Sequence, residues 1–335
     1  MKKYILIFAL IILITGCSVN KADNEYSTGL FAMNTYITID LYGENAKAAA
    51  DDMSNKIREL EGLWSTTLNT SEIYQINNSG ATVTVSDETR DILKFAIDMA
   101  DKTGGVLNPA IYPLVKAWGF TTGDYSIPDK SHIEELLNYT DYKKIGFEGN
   151  KIDLPKNMEL DLGAVGKGYT ADIITQLAKD NGISSGLINL GGNVQAIGTK
   201  PDGSKWRLGL QNPFGEGNIG ILEAADCAVV TSGNYEKYFV GDDGKRYCHI
   251  IDPKTGYPCD NGLVSVTIAG KEGKMCDALS TALFVMGKDN AIQYWQKNKD
   301  FEMILITEDR GIYITSGLAD GFTSNDEGLN VNIID

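Results

Sequence analysis

Soft metal ligands are scarce in this chain. Its 335 residues include five cysteines and only two histidines, His132 and His249, and no cysteine pair has C-x-x-C spacing, which argues against a zinc site. A basic surplus is missing too. Thirty Lys and Arg stand against 45 Asp and Glu, a net charge of −15, which argues against nucleic acid and anionic lipid surfaces as partners. No low-complexity stretch occurs, and no Pro-rich or Gly/Ser-rich linker divides residues 28–335, so that span reads as one unit with two lobes. The one long apolar run, Ile5 to Ile14, is too short for a comfortable bilayer span.

That run reads as a leader. Lys2 and Lys3 precede it, and Ile14-Thr15-Gly16-Cys17 follows, the order of a bacterial lipoprotein signal in which Cys17 is lipidated and becomes the new N-terminus. An ordinary signal peptide or an uncleaved helix is the alternative. Residues 1–17 are therefore expected to be the signal peptide and residues 18–27 a polar tether. The expected location is the cell membrane, lipid-anchored and facing the extracytoplasmic side. Cleavage removes Lys2 and Lys3 and leaves 28 basic against 45 acidic residues. Cys248 and Cys259 flank a turn and can pair in an oxidising compartment, or remain small buried thiols like Cys227 and Cys276.

Phe31 to Tyr42 alternates as a strand does, and from Ala46 to Trp64 apolar residues recur at helical spacing (Ala49, Met53, Ile57, Leu60, Leu63). A helix is predicted over Asp87–Thr103, capped by Ser86 and stopped by Gly104-Gly105. A loop from Val106 to Pro109 leads into an apolar helix ending at Trp118. Residues 143–154 read as a hairpin and Gly166 to Asn181 as a helix. Strand signals run from Leu187 to Ile268, followed by a helical pair (Cys276 to Met286, Asn290 to Asn298) and a last hairpin (Met303 to Ile306, Ile312 to Thr315). Strands and helices are grouped rather than alternating, which predicts an α+β fold.

Three constellations can carry chemistry. Asp161-Leu162-Gly163-Ala164-Val165-Gly166-Lys167-Gly168 runs from a strand end into a helix, where glycines and free amides suit an anion; a plain turn with a surface lysine is the alternative. Its spacing is not that of a Walker A loop. Asp277 and Thr281 lie four apart on one helix face, so a carboxylate and a hydroxyl can reach one hard cation, unless Asp277 merely caps the helix. His249 ends a strand beside the Pro253-Lys254-Thr255-Gly256 turn, placed as a proton acceptor or bonded to backbone. His132, in a polar helix start, is given no role. Two turn-rich stretches, Asn189 to Asn193 and Thr231 to Tyr235, can wrap a ligand or form sheet corners.

In this order the pieces resemble the ApbE family, the FAD:protein FMN transferases. The match runs through Met33-Asn34-Thr35, Leu107-Asn108-Pro109 to Trp118-Gly119-Phe120, Asp161 to Gly168, Asn189 to Asn193, Thr231 to Tyr235, His249 to Gly256 and Asp277 to Thr281. The resemblance implies an ApbE-like fold with two T-fold-like halves. It also implies an enzyme that moves FMN from FAD to a Ser or Thr hydroxyl of an exported acceptor protein and releases AMP. It implies magnesium at Ala164, Asp277, Ser280 (through its carbonyl) and Thr281, and FAD, the substrate, at Met33, Val106, Leu107, Asn108, Asp161, Lys167 and Ile250. His249 is the candidate base. The chain departs from the family pattern at Met33-Asn34-Thr35, where Met-Gly-Thr is usual, at Leu107-Asn108, where Phe-Asp is usual, and at Thr67, where an aromatic is common and Trp64 can substitute.

Other readings compete. An enzyme of the same fold can hydrolyse FAD to FMN and AMP, with water in place of the protein hydroxyl. A lipid-anchored flavin-binding lipoprotein without catalysis would need neither the Asp277/Thr281 pair nor the glycine loop. A chain that itself carries covalent flavin would stay yellow after denaturation.

Overall fold

The computed structural model describes residues 24–325 and 329–335. The expected signal peptide, Cys17 and residues 18–23 of the tether lie outside the described residues. Residues 25–27, expected to close the tether, instead begin the first strand, β1 (Glu25–Ala32). Their composition is polar because only one face of β1 is covered. Pairing with β2 (Thr35–Tyr42), register Glu25↔Tyr42 and Ser27↔Asp40, supplies the backbone bonds.

Two ββααββ units make the fold. In the first, β1 and β2 are followed by α1 (Ala46–Trp64). An insertion comes next, of α2 (Glu72–Ser79), β3 (Val83–Thr84), α3 (Asp87–Lys102), α4 (Tyr112–Ala117), α5 (Lys130–Leu137) and the β4 (Gly146–Glu148)–β5 (Lys151–Asp153) hairpin. Then α6 (Gly166–Asp180), β6 (Ser185–Leu190) and β7 (Asn193–Ile197) complete the unit. β8 (Trp206–Gln211) and β9 (Asn218–Ala224) lead to the second unit, which starts with β10 (Cys227–Gly233). A small hairpin, β11 (Tyr238–Val240) and β12 (Arg246–Cys248), is inserted before β13 (Leu263–Gly270). The helices α7 (Gly273–Met286) and α8 (Lys288–Asn298) and strands β14 (Glu302–Thr307) and β15 (Ile312–Thr315) finish it, followed by β16 (Phe322–Ser324) and β17 (Val331–Ile334).

The units join edge to edge. One nine-stranded sheet has the order β1-β2-β6-β7-β10-β13-β14-β15-β17. Every pair in it is antiparallel except β15 with β17. Ala49, Met53 and Ile57 of α1 and Ala171, Ile174 and Ala178 of α6 bury against Ile37, Ile39 and Ile188. In the second unit, α7 packs on β10 and β13 through Ala278, Leu279, Leu283, Val230 and Val266. The small β8-β9-β16 sheet covers the opposite face, with Trp206 and Leu208 over Ala196, Val229 and Ala269. The α+β class and the paired halves are thus present, and most helix spans agree within a few residues of those the periodicity predicts.

The first strand is the main departure. Phe31 to Tyr42 is not one strand but a hairpin whose tip is Met33 (φ 51°) and Asn34 (φ 58°). Phe31 shares sequence phase with Ile37, Ile39 and Leu41, yet the turn reverses that phase. Leu30 and Ala32 point inward while Phe31 is 73% exposed. A left-handed methionine leaves no trace in hydrophobic periodicity.

Where the halves meet, α6 crosses α7 at a contact only glycine allows. A Cβ on Gly168 would meet the Gly273 carbonyl oxygen and, at 2.5 Å, the Cβ of Asp277. Gly168→Ala should therefore separate the two helices at a cost of about 1–3 kcal/mol. Urea unfolding checks this, and an unchanged midpoint would contradict the tight crossing.

Candidate active site

The two insertions lie over the junction of the halves and enclose a pair of connected cavities. The larger, about 510 Å³, is lined by Met33, Glu61, Trp64, Leu68 and Gly166 among others. The smaller, about 310 Å³, is lined by Val106, Leu107, Ala164, His249, Ile250 and Thr281 among others. Asn34, Thr66, Thr67, Asp161, Gly163 and Lys167 border both, so the two form one cleft of a size suited to a cofactor-sized ligand.

Most of the sequence-predicted residues converge there. Met33 walls the larger cavity, and its sulfur accepts the Thr170 hydroxyl at 3.6 Å. Asn108 lines the smaller one, but its amide donates to the Thr140 carbonyl (2.9 Å) and its oxygen accepts the Ala110 N–H (2.9 Å), so its polar ends build the loop. Asp161 accepts the Gly163 amide at 2.5 Å; burial holds its carboxyl above the ordinary range, against the pull of that bond, Lys167 and Lys237.

The glycine-rich helix start serves packing more than anion capture. The Gly166 amide is bonded to the Leu162 carbonyl (2.7 Å) and the Gly168 amide to Asp277 Oδ2 (2.8 Å), so neither is free for a ligand. Lys167, reaching both cavities, is the cation this segment contributes.

Asp277 is not a helix cap. It sits in the second turn of α7, 3% exposed, one layer behind the cavity wall. Its Oδ2 accepts the Gly168 amide, and its Oδ1 takes no hydrogen bond from the described residues. Fully buried Ser280 has its hydroxyl engaged with the Asp277 carbonyl (2.9 Å) and with Ser232 Oγ (2.8 Å), which leaves only its carbonyl for another partner. Thr281 faces the cavity, 3.3 Å from Ser232 Oγ. The Asp277 carboxylate, the Thr281 hydroxyl and the main-chain carbonyls of Ala164 and Ser280 are oxygen donors of the kind that a hard divalent cation takes. No group of three His, Cys, Asp or Glu side chains that could hold a metal ion is gathered among the described residues.

His249 follows β12 directly. Its backbone N–H (3.0 Å) and ring Nδ1 (3.1 Å) both lie against the Lys237 carbonyl. A carbonyl only accepts, so Nδ1 carries the proton and Nε2 is left as a base. Burial lowers its pKa to about 4, opposed by the Lys237 carbonyl and reinforced by the Lys167 and Lys237 ammonium groups.

Several contributors escaped the sequence reading. Glu61 Oε1 accepts the Met33 amide at 2.7 Å and so holds the left-handed hairpin tip. The available signal was an acidic residue one turn beyond Met53 and Ile57 on the inward stripe of α1. Lys237 works through a main-chain carbonyl, which no side-chain pattern reports. Ser232 lies in a stretch read as a turn, but it is still in β10, under Ser280. The Asn189–Asn193 stretch is a sheet corner, with Asn189 Oδ1 accepting the Gly192 amide at 2.9 Å. Cys248 and Cys259 are free thiols, and the Cys248 S–H lies 3.6 Å from the Cys259 carbonyl. Glu61→Ala should release the tip and weaken FAD binding roughly five- to thirtyfold, the worth of about 1–2 kcal/mol, with Glu61→Gln retaining most of the affinity. Fluorescence titration with FAD measures both, and equal affinity in all three proteins would sink the idea.

Known proteins share this architecture. The ApbE family model matches residues 33–305. An FAD:protein FMN transferase of Klebsiella pneumoniae (strain 342) is 33% identical over 318 residues, 92% of this chain and 98% of that protein. One of Treponema pallidum (strain Nichols) is 30% identical over 329 residues, 91% of each. The crystal structure of the ApbE protein of Thermotoga maritima superposes with a TM-score of 0.83 at 32% identity, covering 89% of this chain and 99% of that one. The flavin transferase ApbE of Vibrio cholerae gives 0.76 at 27% identity, covering 90% and 96%. With the family model spanning most of its described residues and relatives aligned nearly end to end, this chain belongs to the ApbE family.

Proposed function

We propose that this chain transfers the FMN half of FAD to a Ser or Thr hydroxyl of an exported acceptor protein, with magnesium, and releases AMP. The observation that carries the reading is the single cleft in which a neutral His249, the Lys167 cation and the oxygen cluster around Asp277 meet. In the reaction the acceptor oxygen bonds to the phosphorus of the FMN half, the bridging P–O bond to AMP breaks, and the hydroxyl proton passes to His249 Nε2. Ala164, Asp277, Ser280 and Thr281 would hold magnesium, which neutralises charge on the diphosphate when bound. Lys167 adds positive charge at the border of both cavities, where a diphosphate linking two nucleotide halves would cross. The Lys237 carbonyl keeps the His249 ring turned and in the right tautomer. Apolar Val106, Leu107 and Ile250 line the smaller cavity.

The test is chromatography of AMP and FMN after incubation with FAD and magnesium, with and without EDTA, and with a flavin-accepting protein. Magnesium-dependent AMP release with flavin that stays on the denatured acceptor supports transfer. Free FMN without acceptor points to hydrolysis, and intact FAD throughout points to a binding lipoprotein. The membrane part of the proposal is anchoring through Cys17. Cys17→Ser should move the protein from the membrane to the soluble fraction, and unchanged fractionation would refute the anchor.

A further inference from the structure

Among the described residues ten large hydrophobic side chains are exposed, and eight of them lie on, or pack against, segments that also supply residues to the walls of the double cavity. On one side are Tyr125, Ile127, Tyr238, Val240 and Tyr257, carried by the β11–β12 hairpin and the loops packed on it. Tyr125 stacks on Phe239 (5.1 Å, 7°) and Phe239 on Tyr247 (5.3 Å, 23°), which stiffens the hairpin. Phe120 links this side to the site, since it touches the Tyr125 ring (5.6 Å), lines the smaller cavity and meets the His249 ring edge-on at 6.4 Å. On the other side are Phe31 and Tyr36, cross-strand partners next to the Met33–Asn34 tip, and Leu68, which lines the larger cavity. The other two, Val331 and Ile333, lie on β17 at the far edge of the sheet.

Such a distribution is not what an inert surface shows. Scattered exposed hydrophobics need no explanation, whereas clustered ones mark an interaction site. FAD is taken into the cavities, so it does not cover this rim. The second substrate is a protein, and its hydroxyl has to pass the rim to reach His249. We infer that the aromatic rim formed by the β11–β12 hairpin and the β1–β2 tip is the docking surface for the acceptor protein, and that it selects a hydroxyl presented on a segment with apolar flanks. Phe31 (73% exposed), Tyr36 (62%) and Val240 (61%) are its outermost contacts. This inference rests on the transferase reading above.

The experiment replaces the native copy with full-length variants in the protein's own host. Flavin fluorescence of protein bands resolved under denaturing conditions is read together with the Kd for FAD of each purified variant. The rim variants are Phe31→Ser with Tyr36→Ser, and Tyr238→Ser with Val240→Ser; the control is Val331→Ser with Ile333→Ser. Each rim pair should lower covalent flavin roughly tenfold or more, the worth of one or two interface hot spots. The Kd for FAD and the control should remain at wild-type values. Full labelling in both rim pairs overturns the inference, as does an equal loss in the control or a parallel loss of FAD affinity. Release of a rim variant from the membrane fraction, or dissociation of a wild-type dimer in it, assigns the rim to lipid or to a second copy and overturns it as well. Wild-type cells without any covalent flavin would instead reject the transferase reading itself.

Discussion

Asp277→Asn should lower magnesium-dependent AMP release about a hundredfold or more while leaving the fold intact. Asparagine keeps the shape of the side chain and an oxygen for the Gly168 amide, now bonded to Oδ2 at 2.8 Å. What it removes is the only formal negative charge in a donor set otherwise made of a hydroxyl and carbonyls. Charge stabilisation by a bound cation is worth several kcal/mol in such chemistry, and each 1.36 kcal/mol is a factor of ten in rate. Asp277→Ala is the less informative variant. Asp277 is 3% exposed and supports the α6–α7 crossing, so its removal touches the fold as well as the site. Alanine strands the Gly168 amide at a cost of about 1–3 kcal/mol, so lost stability would be mixed with lost chemistry. A magnesium titration of AMP release, paired with urea unfolding of both variants, separates the two. Wild-type rates for Asp277→Asn at every magnesium concentration would remove this carboxylate from the metal site.

His249→Gln should lower kcat about 10²- to 10⁴-fold, the usual span for a general base, with the Kd for FAD nearly unchanged. The pH dependence of the wild type follows from the ring's surroundings. Burial, with Lys167 and Lys237 adding to it, holds the His249 pKa at about 4, so Nε2 is unprotonated from neutral pH down to about 5. The acid limb of kcat/KM should then fall near 4 and not near the ordinary 6.5 of a solvated histidine. Stability carries the same sign. The folded ring binds its proton less readily than the unfolded one, so this contribution is complete above 6.5 and is lost as the pH falls from 6.5 toward 4. The Gln variant lacks that term and should lose less stability over the same window. With only His132 besides it in the chain, the His249 ring can be followed directly by NMR, and a midpoint near 6.5 would mean that water reaches it freely.

Much of the fold is legible in the sequence. Ser86 was read as a cap and its hydroxyl does accept the Thr89 amide at 3.2 Å; α6, α8 and the β14–β15 hairpin lie close to where their patterns place them. These elements are set by local forces, namely capping, a 3.6-residue stripe or a period of two, and local forces are written in contiguous sequence. The Asp277–Thr281 helix face was legible for the same reason. Burial of Asp277 was not, because it depends on Gly168, 109 residues away, meeting α7 from the other half of the fold.

The sequence by itself determined the α+β class, the helices and strands that carry each motif, the scarcity of soft ligands that leaves oxygen to bind any metal, and the family resemblance. Tertiary structure alone decided which hydroxyl of the Ser280/Thr281 pair faces the cavity, which tautomer His249 adopts, and that a carboxylate on α1 fixes the tip of a hairpin read as a single strand. It also decided that Phe31, in phase with a buried run, faces outward two residues before Met33 of the cavity wall. Each of these turns on a contact between segments far apart in the chain or on a backbone conformation with positive φ, and neither changes the spacing of apolar residues from which periodicity is read.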